Sequence, residues 1–344
     1  MYKHGGDIYK YNNCIDFSAN INFFGIPESV KKAVRDSVDA CIHYPDVECR
    51  ELTKAIRKKD GIQNAEIFCG NGAADVIFAL VLAKKPKKAL IMAPGFQEYE
   101  QALMSVDCQV EYHMLYEEDD FKLTDTVLDK ITNDTDMIFV CNPNNPTGHL
   151  VERELLLKIL DKCEKTNTLL VVDECFNEFL ANPKENSILE LTEKTRNLFI
   201  LKAFTKIFAI PGLRLGYGIT LDSELVKRML LVSQPWRVSV PAQAAGVAAC
   251  EEIEFVETTK TKIQAEKDKL LIAMKELGIK TFGSNANYIF FKESADLWDK
   301  LLEKGFLLRD CSNYKGLKKG FYRIAVKSQE DNEKLIAAFR ELRR

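Results

Sequence analysis

Six short, almost continuously apolar runs recur along this chain, at residues 66–69, 89–93, 137–141, 168–173, 198–202 and 215–220. They constrain the fold more than any other feature. A strand with one face in water alternates apolar and polar side chains, whereas a run apolar throughout is covered on both faces. Between the runs lie longer stretches with helical spacing, among them residues 73–83, 97–105 and 153–166. Strands and helices in alternation predict an α/β fold built on a mostly parallel sheet. Near Gln234, Pro235 and Trp236 the pattern changes. A helical stretch over 241–277 follows, then short strands at 288–291, 306–308 and 321–326 and a final helix over 330–342. The chain therefore reads as an N-terminal arm (1–35), a large domain (36–235) and a small α+β domain (236–344), an organisation its 344 residues can support.

Composition excludes several classes. The net charge is −3 and basic residues form no block, so neither nucleic acid nor an anionic membrane is an expected partner. The longest apolar run, residues 76–83, is too short to span a bilayer, and the first residues carry no apolar signal core. A cytoplasmic location is expected. Ten cysteines occur without a C-x-x-C pair, and only four histidines accompany them, so no metal site is expected. Cysteines within apolar runs, such as Cys69 and Cys141, read as buried thiols.

Four segments follow expected strands at their carboxyl ends, where open α/β sheets bind ligands. Lys206 lies among Phe204, Ile207, Phe208 and Ala209, and Arg214 follows eight residues later. An ammonium in apolar surroundings loses its proton readily, and a neutral amine captures aldehydes. Arginine suits a phosphate. Aldehyde capture beside phosphate capture is what pyridoxal 5′-phosphate requires. The segment Gly70-Asn71-Gly72-Ala73-Ala74 would offer backbone amides and a helix N-terminus to that phosphate. Alone it reads as an ordinary strand–helix turn. Asn145-Pro146-Thr147-Gly148 is a rigid turn that can aim the Asn145 amide at a phenolate oxygen. Asp173 ends a buried strand and could keep a pyridine nitrogen protonated, or simply cap a helix. Phe96 could stack on the pyridine ring or fill the core, and Tyr44 could reach a phosphate or stand exposed in its turn.

The order of these parts resembles the fold-type I pyridoxal phosphate enzymes of aminotransferase class I/II, over essentially the whole chain. Within that family the chain is similar to histidinol-phosphate aminotransferases and, more closely, to threonine-phosphate decarboxylases of cobalamin synthesis. The closer likeness rests on His4-Gly5-Gly6-Asp7, Asp16-Phe17-Ser18-Ala19-Asn20-Ile21-Asn22, Pro94-Gly95-Phe96-Gln97-Glu98-Tyr99, Arg309-Asp310-Cys311-Ser312-Asn313-Tyr314 and Tyr322-Arg323-Ile324-Ala325-Val326. The resemblance implies an aspartate aminotransferase-like fold and a homodimer with shared active sites, Tyr44 reaching the neighbour's cofactor. It implies that Lys206 is catalytic and that Tyr44, Gly72, Ala73, Ala74, Phe96, Asn145, Asp173, Thr205, Lys206 and Arg214 bind the cofactor. Arg323 would bind the substrate carboxylate, with His4, Ser18, Asn20 and Arg309 as further substrate contacts. Aminotransferases of this type usually carry Tyr three residues after the strand-end Asp. Here that residue is Phe176, which weakens a transaminase reading. The expected reaction is decarboxylation of threonine phosphate, or of serine phosphate. The alternative is transamination of histidinol phosphate with 2-oxoglutarate.

Overall fold

The computed structural model describes residues 4–343; residues 1–3 of the expected arm, and Arg344, lie outside the described residues. The chain opens with a two-residue strand, β1 (Ile15–Asp16), and the helices α1 (Glu28–Asp36) and α2 (Arg50–Asp60). Next come β2 (Glu66–Gly70), α3 (Ala73–Lys84), β3 (Lys88–Ala93), α4 (Gln97–Met104), β4 (Gln109–Met114), β5 (Met137–Cys141), α5 (Arg153–Thr166), β6 (Leu169–Asp173), β7 (Leu198–Ala203) and β8 (Gly216–Thr220). Strands β2–β8 form one sheet in the order β2-β8-β7-β6-β5-β3-β4. The central strands β5, β6 and β7 are buried at every position, as their unbroken apolar runs require.

The sheet departs from all-parallel at one strand. β8 runs antiparallel to both β2 and β7, while the remaining pairs are parallel. The residues leading into β8 therefore lie at the same sheet edge as the residues leaving its neighbours. This reversal puts Arg214, which precedes β8, beside the turn after β2 and near Lys206 after β7. β4 is an edge strand with the sequence Gln-Val-Glu-Tyr-His-Met, too polar to stand out as an apolar run.

Helices cover both faces. α5 turns Leu155, Leu156, Ile159, Leu160 and Cys163 inward, a single stripe at helical spacing. Each fully buried Leu or Ile contributes about 1.5–3 kcal/mol. The helix stops at Asn167, whose φ of 56° is left-handed. α3 is apolar nearly all round because it packs between the sheet and the helices α4 and α6 (Ser223–Val232).

The helical stretch expected over 241–277 is two helices, α7 (Val240–Ala249) and α8 (Ile253–Glu276). The break lets α7 pack on α1 and α2 while α8 turns away to cover the second sheet. α7 approaches closely through Gly246, where a Cβ would come 2.5 Å from Leu52 Cδ1 and 2.6 Å from Leu215 Cδ2. Beyond α8 lie β9 (Lys280–Thr281), β10 (Tyr288–Lys292), α9 (Leu297–Glu303), β11 (Phe306–Leu307), β12 (Arg309–Asp310), β13 (Phe321–Ala325) and α10 (Gln329–Glu341). An antiparallel sheet, β12-β13-β10-β9, forms here. The arm ties the two sheets together. β1 pairs with β11, the Phe17 carbonyl accepts from Ala325 N (2.8 Å), and Asn22 N donates to the Lys206 carbonyl (3.1 Å).

Candidate active site

A cavity of about 250 Å³ opens at the carboxyl edge of the large sheet, with β12, β13 and the arm closing its far side. Asp173 ends β6 on its wall, 4% exposed. Tyr99 Oη donates to its Oδ2 (2.5 Å) and Cys175 N to its Oδ1 (2.9 Å). Burial pushes the Asp173 carboxyl up; these hydrogen bonds and the charge on Lys206 oppose that rise. A carboxylate so placed, with no ion-pair partner among the described residues, suits a cationic N–H delivered by a ligand. Tyr99 stacks on Phe139 (4.7 Å) and meets the edge of Phe96 (5.4 Å), which holds Phe96 on the cavity wall.

Lys206 follows β7. Burial lowers its pKa to about 8, and the charges of Arg323 and Arg214 push the same way. Its neutral form is thus accessible near neutral pH, as a nucleophilic amine requires. Arg214 and Thr205 line the same end of the cavity with Ala73 and Ala74 at the start of α3, whose N-terminus no side chain caps. The start of the helix and the guanidinium would together suit a phosphate-sized anion. Gly72 works by clearance. Its φ is +87°, and a Cβ would strike the Arg214 guanidinium.

The Asn145 amide is oriented unambiguously. Arg323 Nη1 and Tyr314 Oη (3.4 Å) point at Oδ1, and a guanidinium can only donate. Nδ2 is left to donate to a ligand oxygen. Below it, Tyr288 Oη donates to the Asn144 carbonyl (2.7 Å) and Asn144 Nδ2 to Thr147 Oγ1 (2.9 Å), so the turn is rigid. Phe176 also lines the cavity, its ring 5.1 Å from Tyr288 in an edge contact, and offers no hydroxyl.

The far wall is cationic. Arg309 on β12 and Arg323 on β13 are register partners, directly opposite across the ladder. Like charges so placed repel unless an anion lies between them. Arg323 Nη2 is anchored on the Ser18 carbonyl (2.8 Å), and Arg309 stacks over Tyr314 (5.0 Å). His4, Ser18 and Asn20 of the arm complete this wall. Asn20 is 2% exposed, and neither amide atom has a partner among the described residues. Ser18 Oγ gives its proton to Asp16 Oδ1 (2.6 Å) and accepts from Gly6 N (2.7 Å), so it braces the arm.

Thirteen of the fifteen expected residues line this one cavity. Gly72 stands just behind its wall. Tyr44 does not reach it; 77% exposed, it stacks on Trp236 (4.3 Å) at the outer surface. Sequence reasoning assigned no role to Glu98, Tyr99 or Tyr314, which the structure adds. Cys175 and Cys311 also lie in this region, and burial pushes both thiols up, Cys311 to about 11. Both stay protonated and unreactive at neutral pH.

The family model described as aminotransferase class I and II matches residues 12–339. The threonine-phosphate decarboxylase of Salmonella typhimurium is 36% identical, the match covering 98% of this chain and 96% of that protein. Among solved structures, the histidinol-phosphate aminotransferase from Clostridium acetobutylicum aligns with a TM-score of 0.89 at 29% identity, covering 95% of this chain and 98% of that one. The L-threonine-O-3-phosphate decarboxylase from Porphyromonas gingivalis aligns with a TM-score of 0.82 at 25% identity, covering the same shares of each chain.

Proposed function

The chain belongs to the aminotransferase class I and II family, and on that premise we propose that it decarboxylates L-threonine O-3-phosphate, releasing carbon dioxide and (R)-1-aminopropan-2-ol O-2-phosphate. The fold is aspartate aminotransferase-like, and the cofactor is pyridoxal 5′-phosphate. The residues fit it part by part. Lys206 would take the aldehyde, Arg214, Thr205 and the start of α3 would hold the phosphate, Asp173 the ring nitrogen and Asn145 Nδ2 the phenolate oxygen, and Phe96 would cover a ring face. Bound there, it supplies an electron sink for the pair left on Cα when a bond to that carbon breaks.

One observation carries the choice of substrate: the opposed pair Arg309 and Arg323 on the far wall. Arg214 is placed for the cofactor phosphate, so these two serve anions of the substrate itself. A substrate with both a carboxylate and a phosphate uses both guanidiniums. Arg323, braced by Asn145 and the Ser18 carbonyl, holds the carboxylate. Arg309, with His4 and Asn20, faces the phosphate. Once carbon dioxide leaves, the Lys206 ammonium is placed to return a proton to Cα. The close likeness to the Salmonella enzyme supports the same reading and, with it, a role in cobalamin nucleotide-loop synthesis. Serine phosphate, one methyl smaller, would give ethanolamine phosphate; such a difference is worth only about 1–3 kcal/mol.

Histidinol-phosphate transamination is the second reading, favoured by the TM-score of 0.89. Backbone shape, however, is common to the whole fold. The test of the primary reading is the substrate's phosphate. Each charge-assisted hydrogen bond contributes about 1.5–3 kcal/mol, so threonine should have a kcat/KM at least a hundredfold below that of threonine phosphate. Equal values would contradict the assignment.

The reading includes a cytoplasmic homodimer. Ten free thiols suit a reducing compartment. Ile42, Tyr44, Leu231 and Trp236 are exposed apolar side chains, Tyr44 and Trp236 stacked on each other, and a second copy that covered the Tyr44 face would bring Tyr44 to its own site. Among the described residues no helix is long and apolar enough to cross a membrane.

A further inference from the structure

One carboxyl group in the cavity has no part in the scheme above. Glu98, in the first turn of α4, lies on the wall beside the arm, with its side chain 15% exposed. Its Oε1 is 3.4 Å from His4 Nδ1, beyond an ordinary hydrogen bond. The two do not form a charged pair at neutral pH. Burial raises the Glu98 pKa to about 7, and burial together with Arg309 lowers that of His4. The charged and titratable groups around Glu98 are His4 on the arm, Asp173 at the end of β6, Lys206 after β7, Arg309 on β12 and Tyr314 beyond it.

An ionised carboxylate here is at odds with the rest of the wall. His4, Asn20 and Arg309 are set out to receive an anion, and a carboxylate among them would repel it. A neutral carboxyl instead carries a proton it can donate. We propose that Glu98 takes up one proton from solvent when the phosphorylated substrate enters and, as a neutral carboxyl, donates a hydrogen bond to the substrate phosphate. Glu98 thereby becomes a binding residue that selects phosphate over an uncharged group. The inference rests on the functional reading above only in requiring that the ligand carry a phosphate monoester.

The test uses holoenzyme and propyl phosphate, which has neither amine nor carboxylate and cannot turn over. Titration calorimetry at pH 8 in buffers of different ionisation enthalpy counts protons. Wild type should take up close to one proton per ligand bound, and Glu98→Gln essentially none. With a group near pH 7 that must be protonated to bind, wild-type affinity should fall about fivefold between pH 7 and pH 8 relative to that of the Gln variant. Glu98→Met, lacking both charge and donor, should be as insensitive to pH as Gln but bind severalfold more weakly. Equal proton uptake in wild type and Glu98→Gln would overturn the proposal, as would equal affinity of the Gln and Met variants. Because no turnover is read, failure of the decarboxylase assignment leaves this result interpretable. Proton-linked phosphate binding without decarboxylation would sink only the assignment.

Discussion

Removing the Tyr99 hydroxyl should loosen the cofactor without disturbing the fold around it. Tyr99 Oη donates to Asp173 Oδ2 at 2.5 Å, in a site where Asp173 is 4% exposed. Phe at this position keeps the stack on Phe139 (4.7 Å) and the edge contact with Phe96 (5.4 Å), so packing changes little. A buried hydrogen bond to a charged group contributes about 1.5–3 kcal/mol. Burial already pushes the Asp173 carboxyl up, and the Tyr99 hydroxyl opposes this together with the Cys175 thiol and N–H. At about 1.4 kcal/mol per pKa unit, its loss should raise Asp173 by roughly one to two further units and weaken the hold proposed for it on a protonated ring nitrogen. Tyr99→Phe should therefore raise the pyridoxal phosphate dissociation constant about 10- to 100-fold, measured by absorbance titration of cofactor-free protein. Decarboxylation at saturating cofactor should fall as well. A dissociation constant within twofold of wild type would refute the view that Tyr99 sustains the Asp173 charge.

Three further expectations follow from local geometry. Gly72→Ala places a Cβ against the Arg214 guanidinium at a φ of +87° and ψ of 164°; the backbone strain alone costs about 1–3 kcal/mol, and cofactor affinity should drop more than tenfold in the same titration. In the proposed role Lys206 must lose its proton to capture the aldehyde, and its pKa is lowered to about 8. The capture rate in stopped-flow absorbance should therefore rise about tenfold from pH 6 to pH 7 and level off above pH 8. Asp60 accepts from Lys202 (3.1 Å) and Tyr217 (2.7 Å); burial would raise its pKa, but Lys202, Lys59 and Tyr217 outweigh burial and hold it well below the usual range. A depressed carboxylate stabilises the fold above its unfolded pKa and loses that contribution as pH falls through the folded value. Asp60→Asn should thus cost about 3–5 kcal/mol in urea unfolding at pH 7, with the difference from wild type shrinking at acid pH.

The core of this fold was legible because buried parallel strands must be apolar throughout. Residues 137–141, 168–173 and 198–202 announce themselves that way, and β5, β6 and β7 occupy nearly those bounds. The reversal of β8 was not legible, since a strand buried on both faces reads the same in either direction. β4 escaped because an edge strand tolerates Gln109 and Glu111. The break between α7 and α8 carries neither Gly nor Pro; tertiary packing on α1 and α2 decides it. In the cavity, Lys206, Asp173 and Asn145 were visible because each ends or follows a strand in unusual surroundings, and Arg214 because it stands eight residues after Lys206, just ahead of β8. Arg309 and Arg323 owe their meaning to a cross-strand register that no local pattern records. Tyr99 and Glu98 share the first turn of α4, and no local pattern marks either. Only the approach of α4 to β6 and the arm shows what their polar ends meet.

The central claim, decarboxylation rather than transamination, is tested most directly by product analysis. Cofactor-loaded protein is incubated with threonine phosphate in the absence of any oxo acid, and carbon dioxide and amine are measured together. The account predicts release of carbon dioxide and 1-aminopropan-2-ol phosphate in equal amounts over many turnovers. No carbon dioxide from threonine or serine phosphate, with turnover of histidinol phosphate that depends on 2-oxoglutarate, would contradict it.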